Sequence, residues 1–233
     1  FLKSYEMTVS AGFSNINIDL MFGIPNQTPE SFSKTLDEVY KLNPTHISCY
    51  SLIIEEGTPF YNMNLSLPSE EEEREMYKLI CENKKGYERY EISNFAKKGY
   101  ECRHNIKYWT FGDFLGFGLN AYSFYKGRRY NNHSSFDEYF NDIENNKFPI
   151  AFEEKESEEE LKKDYIITAM RMTKGLCFEN FNKRFSCDFY DSYKEIIEKV
   201  QNRIPFVQAS FIIEEVHYLH KGGRCSAVAL IGA

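Results

Sequence analysis

Two short apolar runs separated by one amphipathic segment constrain this chain more than any other feature. Residues 15–25 read NINIDLMFGIP and residues 46–54 read HISCYSLII. Such β-branched runs with few breaks are the mark of strands buried on both faces of a parallel sheet. Between them, Thr28-Pro29-Glu30-Ser31 has the form of a helix start: Thr28 as N-cap, Pro29 at the first helical position and Ser31 at the third. Phe32, Leu36, Val39 and Tyr40 then fall on one stripe, and the helix stops at Asn43-Pro44 because proline cannot continue it. Strand, crossover helix and strand make a β-α-β unit, which requires two parallel strands in one sheet. The fold class predicted is therefore α/β.

Asp19 interrupts the first run. A carboxylate among Ile18, Leu20 and Met21 is costly unless it meets a cavity, a ligand or a hydrogen-bond network. In parallel α/β folds ligands gather at the carboxyl ends of the strands, and this strand ends a few residues after Asp19. A ligand contact and a structural aspartate bonding the next loop both fit these residues. Glu55 and Glu56 read as solvated acids of a turn. Residues 67–87 read as an amphipathic helix opened by Pro68-Ser69, with acids where the helix dipole favours them.

The bulk numbers limit the function classes. A chain of 233 residues holds one large domain or two modest ones, and its 20 Phe and 17 Tyr exclude a disordered tail. A net charge of −7 argues against nucleic acid as a partner. No apolar run approaches the roughly 20 residues that cross a bilayer, and no signal peptide opens the chain. A cytoplasmic protein without a transmembrane segment is expected, with peripheral membrane contact left open. The six cysteines, at 49, 81, 102, 177, 187 and 225, show neither Cys-x2-Cys nor Cys-x3-Cys, so no zinc knuckle or iron–sulfur loop is encoded. They read as free thiols of a reducing compartment. The opening FLKSYEMTVSAGF looks like the end of a helix, as expected of a piece of a larger fold.

Residues 101–118, ECRHNIKYWTFGDFLGFG, place a His-Asn pair, a Tyr-Trp pair and three glycines together. Beyond them, residues 132–150 read as a loop and short helix capped by Ser134 or Ser135. A helix follows with Leu161, Tyr165, Ile166, Ala169 and Met170 on its buried face, Met172 near the core and Gly175 as C-cap. Cys177 to Phe185 continues helically, and a third helix turns Tyr193, Ile196, Ile197 and Val200 inward. His217 and His220 stand three apart in the tail, a spacing that a solvated helix face explains as well as a metal does.

Four stretches in order, NINIDLMFGIPNQT, THISCYSLIIEEGTPF, YEISNFAKKGYECRHNIKYW and GDFLGFG, closely resemble the radical SAM family of oxygen-independent coproporphyrinogen III oxidase (HemN) and its relative, the haem chaperone HemW. The likeness runs from about Ala11 to about Phe185. The HNxxYW pattern, His104 to Trp109, marks the HemW branch, whose histidine is a proposed haem contact. The resemblance implies the C-terminal part of an incomplete (β/α) radical SAM barrel over residues 1–130, with HNxxYW in a loop region. It implies a HemN-type helical domain over 131–204 and leaves 205–233 unassigned. It makes Asp19 a contact to the ribose hydroxyls of S-adenosylmethionine. His104 becomes a candidate axial haem ligand, with Tyr108 and Trp109 as stacking walls; a backbone-bonded histidine beside a buried Tyr-Trp anchor is the plainer alternative.

The cofactors implied are S-adenosylmethionine, a [4Fe–4S] cluster and haem. The cluster loop, Cys-x3-Cys-x2-Cys, is not in this chain, so no catalytic residue and no cluster ligand is assigned, and radical chemistry is not expected of the chain alone. Where relatives commonly read Gly-Ala-His-Ser, this chain has Ala121-Tyr122-Ser123, which removes a second histidine. The function implied is a haem chaperone that passes haem to an acceptor protein. The alternatives are oxidative decarboxylation of coproporphyrinogen III, and an inactive remnant.

Overall fold

The computed structural model describes residues 1–82 and 85–203, and of residues 200–203 the backbone alone. The tail from residue 205, with His217, His220 and Cys225, lies outside the described residues, as does the Val200 side chain. The chain forms two compact units, the first Phe1–Glu101 and the second from Cys102 onward.

In the first unit, α1 (Leu2–Ser10) precedes the β-α-β element: β1 (Asn17–Phe22), α2 (Pro29–Leu42) and β2 (His46–Ser51). The two strands are parallel, with Asn17 opposite His46 and Asp19 opposite Ser48. Helix α2 starts as its sequence dictates. The Thr28 hydroxyl accepts from the Ser31 N–H while the Ser31 hydroxyl accepts from the Thr28 N–H, a closed capping box. It ends on Asn43 in the left-handed conformation that asparagine tolerates. A 3-10 turn at Pro59–Asn62 leads to α3 (Glu70–Glu82), shorter than the 67–87 expected. Two short strands, β3 (Glu88–Arg89) and β4 (Asn94–Ala96), complete a sheet of order β1-β2-β4-β3, in which β4 runs antiparallel to both neighbours.

The strand pattern corrects one expectation. β1 is covered on one face only: Ile18 and Phe22 are buried, whereas Asn17, Asp19 and Met21 are exposed. Helices α2 and α3 account for this, since Phe32, Leu36, Val39, Met76 and Ile80 close one side of the sheet over Ile18, Phe22, Ile47, Cys49 and Phe95. The opposite side carries Asn17, Asp19, His46, Ser48 and Asn94.

The second unit opens with α4 (Arg103–Trp109), so the HNxxYW stretch is a helix rather than a loop. A three-stranded antiparallel sheet follows, β5 (Tyr122–Tyr125), β6 (Arg128–Asn132) and β7 (Ile150–Lys155), with α5 (Phe136–Glu144) inserted before β7. A domain boundary after residue 130 would cut β6; the division at Glu101 keeps that sheet whole. The unit therefore combines a three-stranded sheet with helices. Residues 153–155 belong to β7, and α6 (Glu158–Ala169) begins only at the Ser157–Glu160 capping box. Its C-cap is Met170; Gly175 lies beyond the helix end, in a turn that donates to the Met172 carbonyl.

Helices α7 (Phe178–Phe185) and α8 (Phe189–Arg203) close over a core of Phe111, Phe124, Tyr165, Ile166, Met170, Phe181, Phe189 and Ile197. The buried Phe181 ring lies 4.7 Å from Phe185 and 5.0 Å from Phe189. On the sheet side, Arg129 bonds both Glu156 and Asp164, tying β6 to α6. Two glycines explain the GDFLGFG run: a Cβ at Gly116 would strike the Tyr122 carbonyl oxygen, and Gly118 sits at φ +99°.

Phe181→Ala is expected to destabilise the chain by about 3–5 kcal/mol, the cost of emptying a fully packed aromatic site. Thr28→Ala is expected to cost about 1 kcal/mol through the lost cap. Urea unfolding of the two variants beside the parent measures both, and equal losses would contradict this ranking.

Candidate functional site

The side of the first sheet away from the helices is polar, and a hydrogen-bond chain runs across it. Asp19 does not bond the following loop. Its Oδ1 accepts from the Asn17 amide Nδ2 at 2.7 Å, and its Oδ2 has no hydrogen-bond partner among the described residues. Asn17 Oδ1 lies 2.6 Å from His46 Nδ1, and His46 Nε2 lies 2.8 Å from the Tyr90 hydroxyl. Ser48 joins from β2, its Oγ 3.1 Å from Asn17 Nδ2. Burial increases along the chain: Asp19 and Asn17 are exposed, while His46 is 5% exposed. Burial holds the His46 imidazole below its ordinary pKa, against the opposite pull of the Asp19 and Glu101 carboxylates. Next to Tyr90 in sequence, Glu91 is fully buried and accepts from the Ser93 N–H at 3.0 Å and from the Asn94 amide.

Helix α4 of the second unit places the other expected site residues. His104 is exposed, and its ring has no hydrogen-bond partner among the described residues. Among the described residues no backbone group bonds it. Tyr108, one turn on, packs edge-on against it at 4.8 Å and meets Phe114 at 4.4 Å in turn. Trp109 is turned away: five residues beyond His104, it lies about 140° round the helix. The Arg171 guanidinium covers its ring at 4.3 Å, and the buried indole N–H meets no acceptor among the described residues. His104 and Tyr108 therefore share a face, whereas Trp109 anchors the helix. Tyr122 is exposed on β5.

The donor sets decide which groups fit. An exposed, unbonded imidazole on an aromatic neighbour suits a haem iron. A carboxylate with one oxygen held and one open suits a diol. No group of three His, Cys, Asp or Glu among the described residues can hold a metal, and the described cysteines are all free thiols, Cys49 buried and Cys177 exposed. Among the described residues no set of side chains fits an iron–sulfur cluster.

Asn17, His46, Tyr90 and Glu91 were not singled out in the sequence. The one legible signal was a histidine in an otherwise apolar strand, at the same offset as Asn17 in its partner.

The chain is similar to haem chaperone HemW of Bacillus subtilis, at 35% identity over 206 residues, which covers 84% of this chain and 54% of that protein. It is 34% identical to HemW of Lactococcus lactis, over 86% of this chain and 54% of the relative. HemW of Buchnera aphidicola subsp. Schizaphis graminum matches at 35% over 82% of the chain and 53% of its own length. The chain thus spans about half the length of the curated relatives it matches. Among solved structures, Escherichia coli coproporphyrinogen III oxidase (HemN), described as a radical SAM enzyme, superposes with a TM-score of 0.70 at 18% identity. It covers 91% of this chain and 55% of that one, a likeness of fold. No family model matches.

The buried His46 makes stability depend on pH. Between its lowered folded pKa and the ordinary value of about 6.5, the unfolded chain binds a proton that the folded chain refuses. The unfolding free energy is therefore full above that window and falls as the pH drops through it. Urea unfolding at pH 7.5, 6.5 and 5.5 should show this loss, and His46→Gln should flatten it; an unchanged slope would place its origin elsewhere.

Proposed function

Because the chain is a HemW/HemN-like protein of the radical SAM fold over about half the length of its relatives, we propose that it handles haem, with His104 as the axial ligand. The observation that carries this reading is the exposed His104 imidazole, free of protein hydrogen bonds among the described residues and packed edge-on against Tyr108. Iron needs a neutral ring nitrogen that nothing else occupies, and a macrocycle needs an aromatic neighbour to lie against. Tyr108 supplies that neighbour. Trp109 acts one step back, holding the helix under Arg171.

The curated relatives are named haem chaperones, and in that role the partners of this chain are haem and an acceptor protein, in the cytoplasm. Asp19 belongs to the same reading as the contact to the ribose diol of S-adenosylmethionine, its open Oδ2 accepting the hydroxyls. When bound with a [4Fe–4S] cluster, that cofactor supplies radical chemistry in radical SAM enzymes; the Cys-x3-Cys-x2-Cys loop that would hold the cluster is not in this sequence. Decarboxylation of coproporphyrinogen III rests on likeness of fold alone, and one fold carries many chemistries.

Haemin titrated into the protein and its His104→Ala variant, followed by the Soret band, tests the assignment. A saturable shift is expected in the parent, weakened at least about tenfold in the variant, as the loss of one strong contact requires. Tyr108→Ala is expected to weaken binding less. A weak, unsaturating shift identical in parent and variant would return His104 to an ordinary surface residue and reopen the oxidase and remnant readings.

A further inference from the structure

The hydrogen-bond chain behind Asp19 has a direction, and the carboxylate sets it. With His46 neutral, one ring nitrogen donates and the other accepts. A carboxylate only accepts, so Asp19 takes the Asn17 NH2, and the Asn17 carbonyl oxygen then requires a donor from His46. Nδ1–H donates to Asn17 Oδ1 at 2.6 Å, and the Tyr90 O–H donates to Nε2 at 2.8 Å. Once the carbonyl oxygen of Asn17 faces the imidazole, its NH2 must face the other way, and there it donates to Asp19 Oδ1 at 2.7 Å. The flipped amide would set its carbonyl oxygen against the carboxylate. Ser48 Oγ lies 3.1 Å from Asn17 Nδ2 and 3.3 Å from Asn17 Oδ1, and its hydroxyl satisfies either atom. The carboxylate would otherwise rotate freely on an exposed strand face. Held this way, it has one oxygen satisfied and the other presented outward.

We propose that Tyr90, His46 and Asn17 are positioning residues, a relay that orients the Asp19 carboxylate to receive the vicinal diol of an adenosyl ligand. The proposal rests on the reading of Asp19 as the ribose contact. The relay touches no ligand itself: it fixes which Asp19 oxygen is open and where it points, so the ligand meets an acceptor already ordered. Ordering the acceptor in advance spares binding the entropy of fixing it.

The test is a ligand cycle in the full-length holoprotein, with dissociation constants from calorimetry for S-adenosylmethionine and for its 2′,3′-dideoxy analogue. Asp19→Asn should weaken the diol-bearing ligand by about tenfold or more and leave the dideoxy analogue unchanged, as expected for losing a charge-assisted hydrogen bond. His46→Phe, which keeps a flat ring, should reproduce most of that loss, and Tyr90→Phe, which removes one oxygen, about a threefold part of it, again on the diol ligand alone. Tyr90→Phe keeps the test decisive if His46→Phe does not fold. Equal losses on both ligands in the relay variants, or no loss on either, would overturn the relay while a diol-selective Asp19→Asn leaves the Asp19 reading intact. An Asp19→Asn variant that treats both ligands alike would overturn the Asp19 reading, and the relay with it.

Discussion

The register of β1 against β2 is the constraint on which the first unit depends. Side chains alternate across a strand, so pairing Asn17 with His46 and Asp19 with Ser48 sends all four to one face, and Ile18 and Ile47 to the other. A slip by one residue would exchange the two sets, burying Asp19 under α2 and exposing the core. Thr45 secures the register where the strands begin. Its hydroxyl accepts from the Ile16 N–H at 3.0 Å and donates to Asn15 at 2.8 Å, and its N–H donates to the Ile16 carbonyl at 3.1 Å. The apolar half of the alternation then recruits α2 and α3, and the polar half is left to hold the hydrogen-bond chain that ends at Asp19.

The second unit solves a different problem, that of holding a seven-residue helix that buries no side chain completely. So short a helix has little stability of its own. Here it is anchored at its C-terminal end. Arg171 covers Trp109, and Phe111 enters the core in a left-handed conformation, its carbonyl accepting from Arg184 at 3.2 Å. Those anchors all lie beyond Tyr108. They fix the helix while leaving the His104 ring outside the hydrogen-bond network.

How much of this could be read from the sequence follows from how local each signal is. The α2 capping box, the stop at Asn43 and the parallel pair were legible because caps, stripes and crossovers are written within a few residues of one another. The burial of β1 was misread on one face. An apolar run tells that a strand is covered, and only the third dimension tells by what and on which side. The strands β3, β4 and β7 escaped because they are short or polar: β7 reads IAFEEK, and its second half is charged. Asp19 stood out as a charge in an apolar run. His46 and Tyr90 did not, since a contact across 44 positions leaves no local trace. Trp109 was grouped with Tyr108 by adjacency, yet neighbouring helical residues point about 100° apart.

The two site residues differ in how they are supported, and the difference suits what each would do. Asp19 has a partner, which has a partner in turn, down to a buried tyrosine. A group held so firmly presents one geometry, the condition for recognising a ligand by a pair of hydroxyls. His104 has no such support. A histidine that holds a metal permanently donates its second nitrogen to a carboxylate or carbonyl, which orients the ring and strengthens it as a ligand. His104 donates to nothing among the described residues, and the Tyr108 ring meets it edge-on. An imidazole without that second bond is the weaker base and leaves the iron more readily. For a protein whose proposed task is to pass haem on, a ligand that lets go is an asset. The same lack of support that would disqualify His104 as a permanent metal anchor is what a hand-over requires.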